Sequence, residues 1–481
     1  KFRKKSRAYD KNYGYAPVAA AAGLRGPRDS LIANFPRISE YVPLGTRTMQ
    51  YWPFIDPDYN PDNFLDGRFL MGPGADLDFM LEIFQYFRKN FNRYSPGAST
   101  IDEYIMHRLH ETNSILYDYS GNEDYTASYT MIDLAIGSKI NIITGCRLEK
   151  NSTTYNSWRA WKTPLPHWVF TGDPYTEDRE NEFWLPAFFL RYKPFQWLNI
   201  RFAKTNTITR PNYTDIIPLY HVDGTGRTID HRNPYLRPGK SENIDFNVSI
   251  NQNHLGLFSV GYFKKNIEDL IYSSGRRYIE DTEKYGVPPE TEKYAIENYT
   301  ANNPNEVILE GFEIDYQTRF WYLPSFLSGL VFNANYTLTD SEVKYPRTII
   351  DIAIDWGPPL TTVTTNIDTF YIDRLIDQPD EIINLSLGYD YKGFSGRLSM
   401  LYKSNTFTRA DFWPELREST NYYRRYDLSI KQDLPLEGLE MYVNVSNLTN
   451  AKDVTLVRGG NYPSSEQHYG KTIDLGFRYS F

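Results

Sequence analysis

The residues with the clearest metal-ligating spacing in this sequence lie between positions 56 and 62. Oxygen-bearing side chains stand there at every second position, namely Asp56, Asp58, Asn60 and Asp62. Calcium-binding loops use such alternation, because Ca²⁺ takes about six to eight oxygen ligands. The EF-hand pattern is broken, since Pro61 replaces the required glycine and Gly67 the bidentate glutamate. Two interpretations stay open, a structural calcium site and a turn-rich acidic loop, and we favour the loop.

A second group of candidate metal ligands follows further along the chain. His107 and His110 are spaced i, i+3, with Glu103 and Glu111 beside them. Two histidines on neighbouring helical turns can share a zinc ion, but a zinc site needs further ligands and the sequence identifies none. A solvated helix face is the interpretation that we favour here.

Aromatic side chains crowd one predicted loop and continue into the next. They are Trp158, Trp161, Trp168, Phe170 and Tyr175, followed by Tyr220. Exposed aromatic rings stack on sugar rings or hold a partner protein, so we predict a ligand-binding surface. Packing of these rings against neighbouring loops is an equally weighted alternative.

Catalytic and redox chemistry have little support in the sequence. The sequence has no G-x-S-x-G, H-E-x-x-H or P-loop motif, and it has only seven histidines to serve as general bases. Its single cysteine, Cys146, excludes an intrachain disulfide and a cysteine-based metal cage. A net charge of -8 gives no support for nucleic-acid binding. We therefore expect no enzyme activity and no cofactor other than the calcium considered above.

Alternation of apolar and polar residues organises the chain from about residue 124. In the segment 381–391, one face carries Ile383, Leu385, Leu387, Tyr389 and Tyr391, and the other carries Asn384, Ser386, Gly388 and Asp390. Successive side chains of a strand point to opposite faces, so the segment has one apolar and one polar wall. The pattern recurs at 244–250, 312–320, 330–339, 439–446 and 472–481.

Strand length and connector asymmetry favour a membrane barrel over a β-sandwich. The predicted strands run over about 10–14 residues, against five or six in soluble sheets. Tight turns are predicted at Gly137-Ser138, Pro194-Phe195 and Lys392-Gly393, and long polar loops near 151–180, 210–240, 273–304 and 344–379. Outer-membrane barrels have such short periplasmic turns and long extracellular loops. The fold class that we predict is all-β, a transmembrane antiparallel β-barrel.

Composition agrees with this prediction. Aromatic residues make up 16% of the chain, with 40 Tyr and 28 Phe, although the mean hydropathy is -0.56. Aromatic girdles at the two membrane interfaces account for the rings, and a polar lumen with polar loops accounts for the hydropathy. The sequence has no apolar run of about 18 residues, which excludes a transmembrane helix.

Two regions follow from the pattern, with the boundary at residue 123. Residues 124–481 should supply about thirteen strands, and residues 1–9 the end of one more. Residues 1–123 are interpreted as the start of the chain and a large extracellular loop with two short helices. Asp76 should cap the first helix, whose apolar residues predict burial, and Thr100 should begin the second. We expect that the chain starts inside a longer protein.

Several motifs resemble those of TonB-dependent outer-membrane receptors, over roughly 124–481. The last strand ends on aromatic residues, Phe477, Tyr479 and Phe481, and is similar to the signal read by the outer-membrane assembly machinery. The segment 443–450 resembles the penultimate strand of the family, and Gly145-Cys146-Arg147-Leu148-Glu149 resembles its G-x-R-x-E strand. The segments 209–211, 233–238, 311–313 and 335–337 also resemble family motifs, in a Bacteroidetes-like style.

The resemblance implies a barrel of 22 strands with an N-terminal plug, in the outer membrane of a Gram-negative bacterium. It implies active import of a nutrient, a glycan, siderophore or similar compound. The expected partners are outer-membrane lipid and lipopolysaccharide, the inner-membrane TonB system acting through a missing plug, and a surface lipoprotein or other outer-membrane protein. A non-transporting scaffold subunit is the main alternative, and a passive pore is another.

Overall fold

The computed structural model describes the greater part of the chain, with gaps mainly before residue 117. The described residues are 2–10, 14–15, 31–41, 51–59, 72–90, 108–109, 115, 117–162, 172–224, 226–297, 299–357, 361–411 and 413–480. Among them no helix is long and apolar enough to cross a bilayer.

Fourteen strands of the described residues form one wall, in which each strand pairs with the next along the chain. They are β1 (Phe2–Tyr9), β2 (Tyr119–Ile136), β3 (Ile140–Lys162), β4 (Gly172–Phe195), β5 (Leu198–Thr209), β6 (Gly239–Gln252), β7 (Gly256–Glu268), β8 (Val307–Arg319), β9 (Leu330–Asp355), β10 (Glu381–Tyr391), β11 (Phe394–Lys403), β12 (Tyr423–Asp433), β13 (Leu439–Ser446) and β14 (Thr472–Tyr479). All thirteen ladders are antiparallel. The predicted strand number is confirmed, including the strand within residues 1–9.

Within the described residues, no ladder joins β1 to β14. The wall is therefore a continuous antiparallel meander with β1 and β14 at its edges. β2 begins at Tyr119, a few residues before the boundary at residue 124.

The outward face of the wall is apolar and is not covered by protein. Trp184 is 64% exposed, Leu387 56% and Ile473 69%. Because these side chains alternate with polar ones along each strand, the opposite face carries the polar residues. The arrangement differs from a β-sandwich, where the apolar faces of two sheets meet each other.

Aromatic side chains gather at both ends of the apolar band. Near the turns, Phe195 stacks on Trp197 with ring centroids 5.3 Å apart, and the Trp321 indole donates to the Asn253 carbonyl at 3.1 Å. At the other end, the Tyr262 hydroxyl donates to Glu310 and the Tyr336 hydroxyl to Glu381, both at 3.0 Å. Such rings have an apolar body and a polar tip, which suits a membrane interface.

The short connections agree with two of the three predicted turns. Lys392 and Gly393 both have positive φ, 47° and 80°, as in the type I′ turn that matches the twist of a hairpin. Gly137, with φ 59°, turns β2 into β3. The turn predicted at Pro194-Phe195 was wrong, because β4 continues to Phe195 and Gln196-Trp197 make the turn.

Two of the predicted long loops are extensions of the wall strands. Residues 151–162 and 172–180 belong to β3 and β4, and the outer part of β9 pairs with Thr361–Asp373. The prediction of loops was wrong there, because the backbone ladders continue beyond the segments that show clear alternation. A ladder forms from backbone groups, and a strand outside the bilayer needs no apolar face. β3 has 23 residues and β9 has 26, whereas a spanning strand needs about 9–11.

The remaining long connectors fold into small elements beyond the wall, which we call the mouth. Its short strands are Tyr220–Asp223, Thr228–His231, Ile271–Ser273, Arg277–Tyr278, Ala295–Ile296, Thr300–Asn302, Thr361–Asp373, Phe407–Arg409, Glu418–Thr420, Lys452–Val457 and Tyr462–His468. Its helical turns are Tyr213–Ile216, Thr282–Tyr285, Pro289–Thr291 and Pro414–Leu416. A further 3₁₀ turn, Ser325–Gly329, lies between β8 and β9 on the opposite side.

A separate cluster is built from the segments described between residues 31 and 90. Its helices are Pro36–Tyr41, the 3₁₀ turn Trp52–Phe54 and Leu77–Asn90. The predicted cap is confirmed, since the Asp76 carboxylate accepts the Phe79 N–H at 2.9 Å. Ile83 packs on Leu31, Phe35 and Ile38.

The prediction that this helix is buried was correct for only one of its faces. Leu77 is 73% exposed and Leu81 52%, because the partner segments cover only the face of the helix that carries Ile83. The helix predicted from Thr100 lies mostly outside the described residues. It does not reach Leu109, since Arg108–Leu109 pairs as a strand with Gly14–Tyr15.

Candidate functional site

The mouth contains a small mixed sheet that continues from the outer end of β3. Residues 159–162 of β3 pair in parallel with Tyr220–Asp223, which pairs antiparallel with Thr228–His231. That strand in turn pairs in parallel with Ala295–Ile296. Buried Val222, Ile229 and Ile296 form its core. The loops following β5 and β7 are thereby fixed to each other and to the wall.

His231 lies buried within this sheet. Its Nδ1 contacts the carbonyl oxygen of Arg232, and its Nε2 lies 2.7 Å from the carbonyl oxygen of Tyr285. Burial lowers the pKa of His231, although the two carbonyls oppose this effect. A neutral imidazole has one N–H donor, so only one of the two carbonyls receives a hydrogen bond from it.

Beneath the loop that follows β5, the inner face of the wall encloses a cavity of about 330 Å³. Its lining comes from the outer halves of β1, β2, β3 and β4 and from residues 210–238. The main polar lining residues are Lys5, Arg7, Glu123, Tyr125, Asn151, Thr153, Arg179, Asn181 and Arg210. This cavity is the candidate site.

Strand register explains why these residues share one face. Lys5 lies opposite Glu123 in the β1–β2 ladder, and Tyr125 lies opposite Asn151 in the β2–β3 ladder. Arg179 lies opposite Thr153 in the β3–β4 ladder. Directly opposed residues point to the same side of a sheet, so the register gathers these side chains at the mouth.

Glu149 connects two of the segments that resemble family motifs, 145–149 and 209–211. Its carboxylate accepts from Arg147 at 2.8 Å and also pairs with Arg210, at the start of the loop after β5. Gly145 in the same strand permits close pairing, because a Cβ there would collide with the Thr130 carbonyl oxygen. Arg147 and Glu149 therefore hold the loop over the cavity.

Glu123 is the second carboxylate of the cavity and is mostly enclosed by tyrosines. It accepts hydrogen bonds from the hydroxyl groups of Tyr155 and of Tyr125, the latter at 2.8 Å. The Lys5 ammonium lies 3.9 Å away. Tyr155 is 1% exposed and packs under Ile216 and Leu236 of the overlying loop. This packing gives the cavity a rigid floor and roof.

Two further arginines, Arg7 and Arg179, line the cavity. Among the described residues, neither Arg7 nor Arg179 makes an ion pair with a carboxylate. The Arg7 guanidinium lies 3.8 Å from the Tyr213 ring centroid, and its buried Nε has no hydrogen-bond partner. Arg179 interacts electrostatically with Glu177 on the same strand.

The predicted aromatic site is brought together only in part. Tyr175 and Tyr220 both lie beside Arg159, whose guanidinium is 3.2 Å and 5.5 Å from their ring centroids. Trp158 lies opposite Pro174 in the β3–β4 ladder. Trp168 and Phe170, and the side chain of Trp161, lie outside the described residues. Ligand binding by these rings stays a prediction, and two of them contact a cation of the protein itself.

The acidic segment at 56–62 is only partly described. The Asp56 carboxylate accepts the Asp58 N–H at 2.9 Å, which is the hydrogen bond of an Asx turn. Asn60 and Asp62 lie outside the described residues, as do His107 and His110. In the described part of the chain, no group of three potential ligands is suited to hold a metal ion. The calcium site stays a prediction.

A carboxylate that sequence reasoning missed lies at the opposite side of the mouth. Asp373, whose side chain is 8% exposed, pairs with Arg417 at 2.8 Å and with Arg458 at 2.5 Å. The two arginines come from the loops before β12 and before β14, and each also lies over an aromatic ring, Tyr371 and Phe407 respectively. The residues are far apart in sequence, so no local signal could have revealed this contact.

The family-like motif at 233–238 has a comparable structural role. Asn233 donates to the Thr300 carbonyl at 3.0 Å, and the Arg237 Nε donates to Asp269 at 3.1 Å. Leu236, between them, is fully buried. These contacts tie the loop after β5 to the loop after β7, so the motif marks a loop junction.

The segment at 443–450 ends β13 for a similar reason. Asn447 is 3% exposed and adopts a positive φ of 57°, which asparagine tolerates better than most residues. Its side chain donates to the carbonyls of Ala451 and Gly470 and accepts from the Ala451 N–H. Asn447 therefore closes the base of the loop between β13 and β14.

Below the cavity, the inner wall neutralises its own charges. Arg397 pairs with Asp390 at 2.7 Å, and Arg425 with Asp427 at 2.9 Å. Serine and amide side chains continue the polar face, as in the hydrogen bond from Ser399 to Ser386 at 3.1 Å. Acidic and basic side chains of this wall therefore pair with each other within it.

A family model described as "TonB dependent receptor-like, beta-barrel" matches residues 3–448. The chain belongs to the TonB-dependent receptor family. The resemblance inferred from the motifs is confirmed, and it extends to β1. No curated protein sequence matches the chain.

Several solved receptor structures are similar to this chain. The ferric-catecholate import receptor Fiu of E. coli K12 is 17% identical, with a TM-score of 0.50, covering 76% of this chain and 45% of that one. The siderophore receptor PiuA of Acinetobacter baumannii is 13% identical, with a TM-score of 0.49, covering 75% of this chain and 44% of that one. The ferric yersiniabactin uptake receptor FyuA of Yersinia pestis is 15% identical, with a TM-score of 0.46, covering 76% of this chain and 46% of that one. The chain spans about half the length of these receptors.

Membership of this TonB-dependent receptor family confirms three expectations. The family consists of integral outer-membrane β-barrel proteins, which agrees with the exposed apolar face of the wall. Its members are transporters and not enzymes, as the absence of catalytic motifs predicted.

The Bacteroidetes-like lineage stays a prediction. The same holds for an assembly role of the C-terminal aromatics, of which Phe477 and Tyr479 lie in β14 and Phe481 lies outside the described residues.

Proposed function

We propose that the chain is the barrel portion of an active importer that moves a nutrient across the outer membrane. The observation that carries the proposal is the match to the receptor barrel over residues 3–448. The substrate class is a glycan, a siderophore or a similar compound. A polar inner wall supports this proposal, since a hydrophilic solute needs polar groups along its path.

The mouth is the part of the molecule suited to selectivity. The cavity lies at the outer end of the polar wall, under loops that are tied together by Asn233, Arg237 and Glu149. A ligand held there would be positioned above the polar face. By analogy with the family, the TonB system would then supply the energy for passage through the lumen.

The proposed partners follow from the same analogy. Lipid and lipopolysaccharide would contact the apolar face, and the inner-membrane TonB system would act through a plug domain. A surface lipoprotein or another outer-membrane protein is a further proposed partner. The alternative of a non-transporting scaffold has less support, because Fiu, which shares the fold, is named as an import receptor.

Growth of a deletion strain on defined nutrients tests the proposal. The strain would be compared with wild type on a panel of glycans as sole carbon source and of ferric siderophores as sole iron source. We expect a growth defect on at least one source, restored by the full-length gene in a TonB-competent strain. The same gene should fail to restore growth when TonB is deleted.

Two results would contradict active import. Restoration of growth without TonB would indicate a passive pore. Equal growth of the deletion and wild-type strains on every source, in a strain without a paralogue, would favour the scaffold.

A further inference from the structure

The outer part of β9 and the strand Thr361–Asp373 form a two-stranded ribbon beyond the wall. β9 pairs with β8 as far as Glu342, and in the described part of the chain residues 343–355 then pair only with 361–373. We call these two segments the ribbon. A two-stranded hairpin is marginally stable at best in water, so the ribbon needs support from groups that pack on its faces.

The inward face of the ribbon is supported at its base by the mouth. Val343 and Tyr345 are fully buried, and the Tyr345 ring stacks on Tyr371 with ring centroids 5.4 Å apart. Tyr345 also contacts the ring of Phe407, from the loop before β12. The base is therefore fixed to the mouth, whereas Ile349, further out on the same face, is 40% exposed.

The outward face of the ribbon is apolar and exposed. Even-numbered residues share this face, because they continue the lipid-facing residues Tyr336 and Leu338 of β9 through a regular ladder. Its exposed apolar side chains are Ile352 (62%), Ile354 (47%), Phe370 (50%) and Ile372 (56%). Contiguous apolar patches on a protein surface mark contacts with a membrane or with another protein.

The bilayer does not reach the outer part of this face. Ile352 follows Leu338, the outermost apolar residue of the wall on β9, by 14 residues, or about 46 Å along the strand. With a strand tilt of about 40° the rise is about 35 Å, more than the entire hydrocarbon thickness of about 30 Å. Exposed Asp340, Glu342 and Lys344 separate the two apolar regions. The contact suited to this face is therefore another protein surface.

We propose that the outward faces of two ribbons pack against each other, so that two copies of this protein associate in the outer membrane. Copies inserted in one membrane have the same orientation and depth, which places their ribbons at the same height. A two-fold axis along the membrane normal brings the two identical faces together, as a self-complementary interface requires. The apolar side chains then interdigitate as between stacked sheets, about 10 Å apart.

The distribution of charge favours a second copy over a partner of opposite charge. The charged residues between 346 and 373 are Arg347, Asp351, Asp355, Asp368 and Asp373, and only Asp368 falls in the outward register. A basic partner would be attracted to the face that carries the other three aspartates. In the two-fold arrangement those faces point away from each other, which avoids the cost of opposing like charges.

Cysteine cross-linking of the full-length protein in isolated outer membranes tests the proposal. Cys146 is replaced by serine, and T362C places a thiol on the outward face, where Thr362 pairs with Ile354. A bismaleimide that spans about 10 Å, the separation of stacked sheets, should link two copies into a product of twice the monomer mass. T361C is the control and should give about a tenth as much product or less, because adjacent residues of a strand point to opposite faces.

Paired substitutions assign the contact to one face of the ribbon. I352T/I354T should lower the cross-linked fraction from T362C about tenfold, because each dimer then loses four buried isoleucine side chains. I349T/I367T makes the same changes on the inward face, where Ile349 pairs with Ile367, and should leave the fraction unchanged. Threonine is β-branched and favours strands, so both variants keep the ribbon.

Four results would overturn the proposal. T362C forms no dimer although a small maleimide labels it, T361C forms as much dimer as T362C, the two paired variants cross-link equally, or the product contains a different protein. Resistance of T362C to the small maleimide in a monomeric protein would overturn it as well, because another segment of the same chain then covers the face. None of these results bears on import, which the growth test measures separately.

Discussion

The wall and the mouth bury their apolar side chains in different surroundings. On the wall, large apolar residues such as Leu387 and Ile473 face outward and touch no protein core. In the mouth, residues such as Ile229, Leu236 and Phe407 are almost fully buried among other side chains. The same residue types are therefore stabilised by lipid in one region and by protein packing in the other.

This difference separates the tasks of the two regions. The wall needs only alternation and a complete ladder, because the bilayer supplies the apolar surroundings. The mouth lies in water, so its loops need their own small cores and ion pairs to keep one shape. The candidate site accordingly lies where the loops pack.

The largest effect is expected in the mouth, at Asp373. D373A leaves Arg417 and Arg458 without their shared carboxylate, and loss of one member of a buried ion pair costs about 3–5 kcal/mol. Hydrogen exchange should show faster opening of residues 404–422 and 452–468, with β10 and β11 unchanged. E182A is the control, because both side chains of the Lys150–Glu182 pair are exposed and the pair should contribute at most about 1 kcal/mol. Equal effects of the two variants would contradict a stabilising role for the buried ion pairs of Asp373.

The next effect distinguishes the two faces of the wall. L387R places a cation on the lipid side near the middle of β10, which costs about 2–4 kcal/mol at the midplane of a bilayer. S386R changes the adjacent residue, which faces the polar side, and should cost less than about 1 kcal/mol. Denaturant unfolding in lipid vesicles measures both. A cost for S386R as large as that for L387R would show that the faces are not distinct.

The smallest effect is a pH dependence confined to the mouth. The folded-state pKa of His231 is lowered by burial, so below its unfolded value of about 6.5 the unfolded loops take up a proton that the folded loops exclude. Stability is then complete above that pH and falls as the pH drops. Hydrogen exchange of residues 277–297 at pH 7.5 and 5.5, corrected for intrinsic rates, should show this loss.

H231Q removes the titrating group and provides the comparison. The variant should show less pH dependence in residues 277–297 than wild type, while the wall strands show none in either protein. If wild type and variant lose protection equally, other groups of the mouth are responsible.

The sequence predicted the fold correctly where the alternation of apolar and polar residues is visible within a single strand. The alternation in 381–391 depends on neighbouring residues, so the faces of β10 and the number of wall strands could be predicted. It failed at 151–180 and 344–379, where the strands extend beyond the regular alternation. The signal there is the ladder between β3 and β4, which involves two segments and not one.

The candidate site was less accessible from sequence. Lys5, Glu123, Asn151 and Arg179 are widely spaced along the chain and meet only through the register of four strands. The motifs near Arg147 and Arg210 marked two sides of the site, although nothing local showed that both pair with Glu149. The predicted aromatics Tyr175 and Tyr220 lie in the mouth beside Arg159, but Lys5, Glu123 and Arg179 were not identified as site residues.

Site-directed spin labelling of β10 in lipid bilayers tests the central claim most directly. With Cys146 replaced by serine, single cysteines at positions 383–390 would be labelled and their collisions with oxygen and with a water-soluble nickel complex compared. Oxygen, which concentrates in the hydrocarbon, should reach labels at 383, 385 and 387, and the nickel complex should reach those at 384, 386 and 388. Labels at 383, 385 and 387 shielded from both reagents, as in a protein core, would contradict the account.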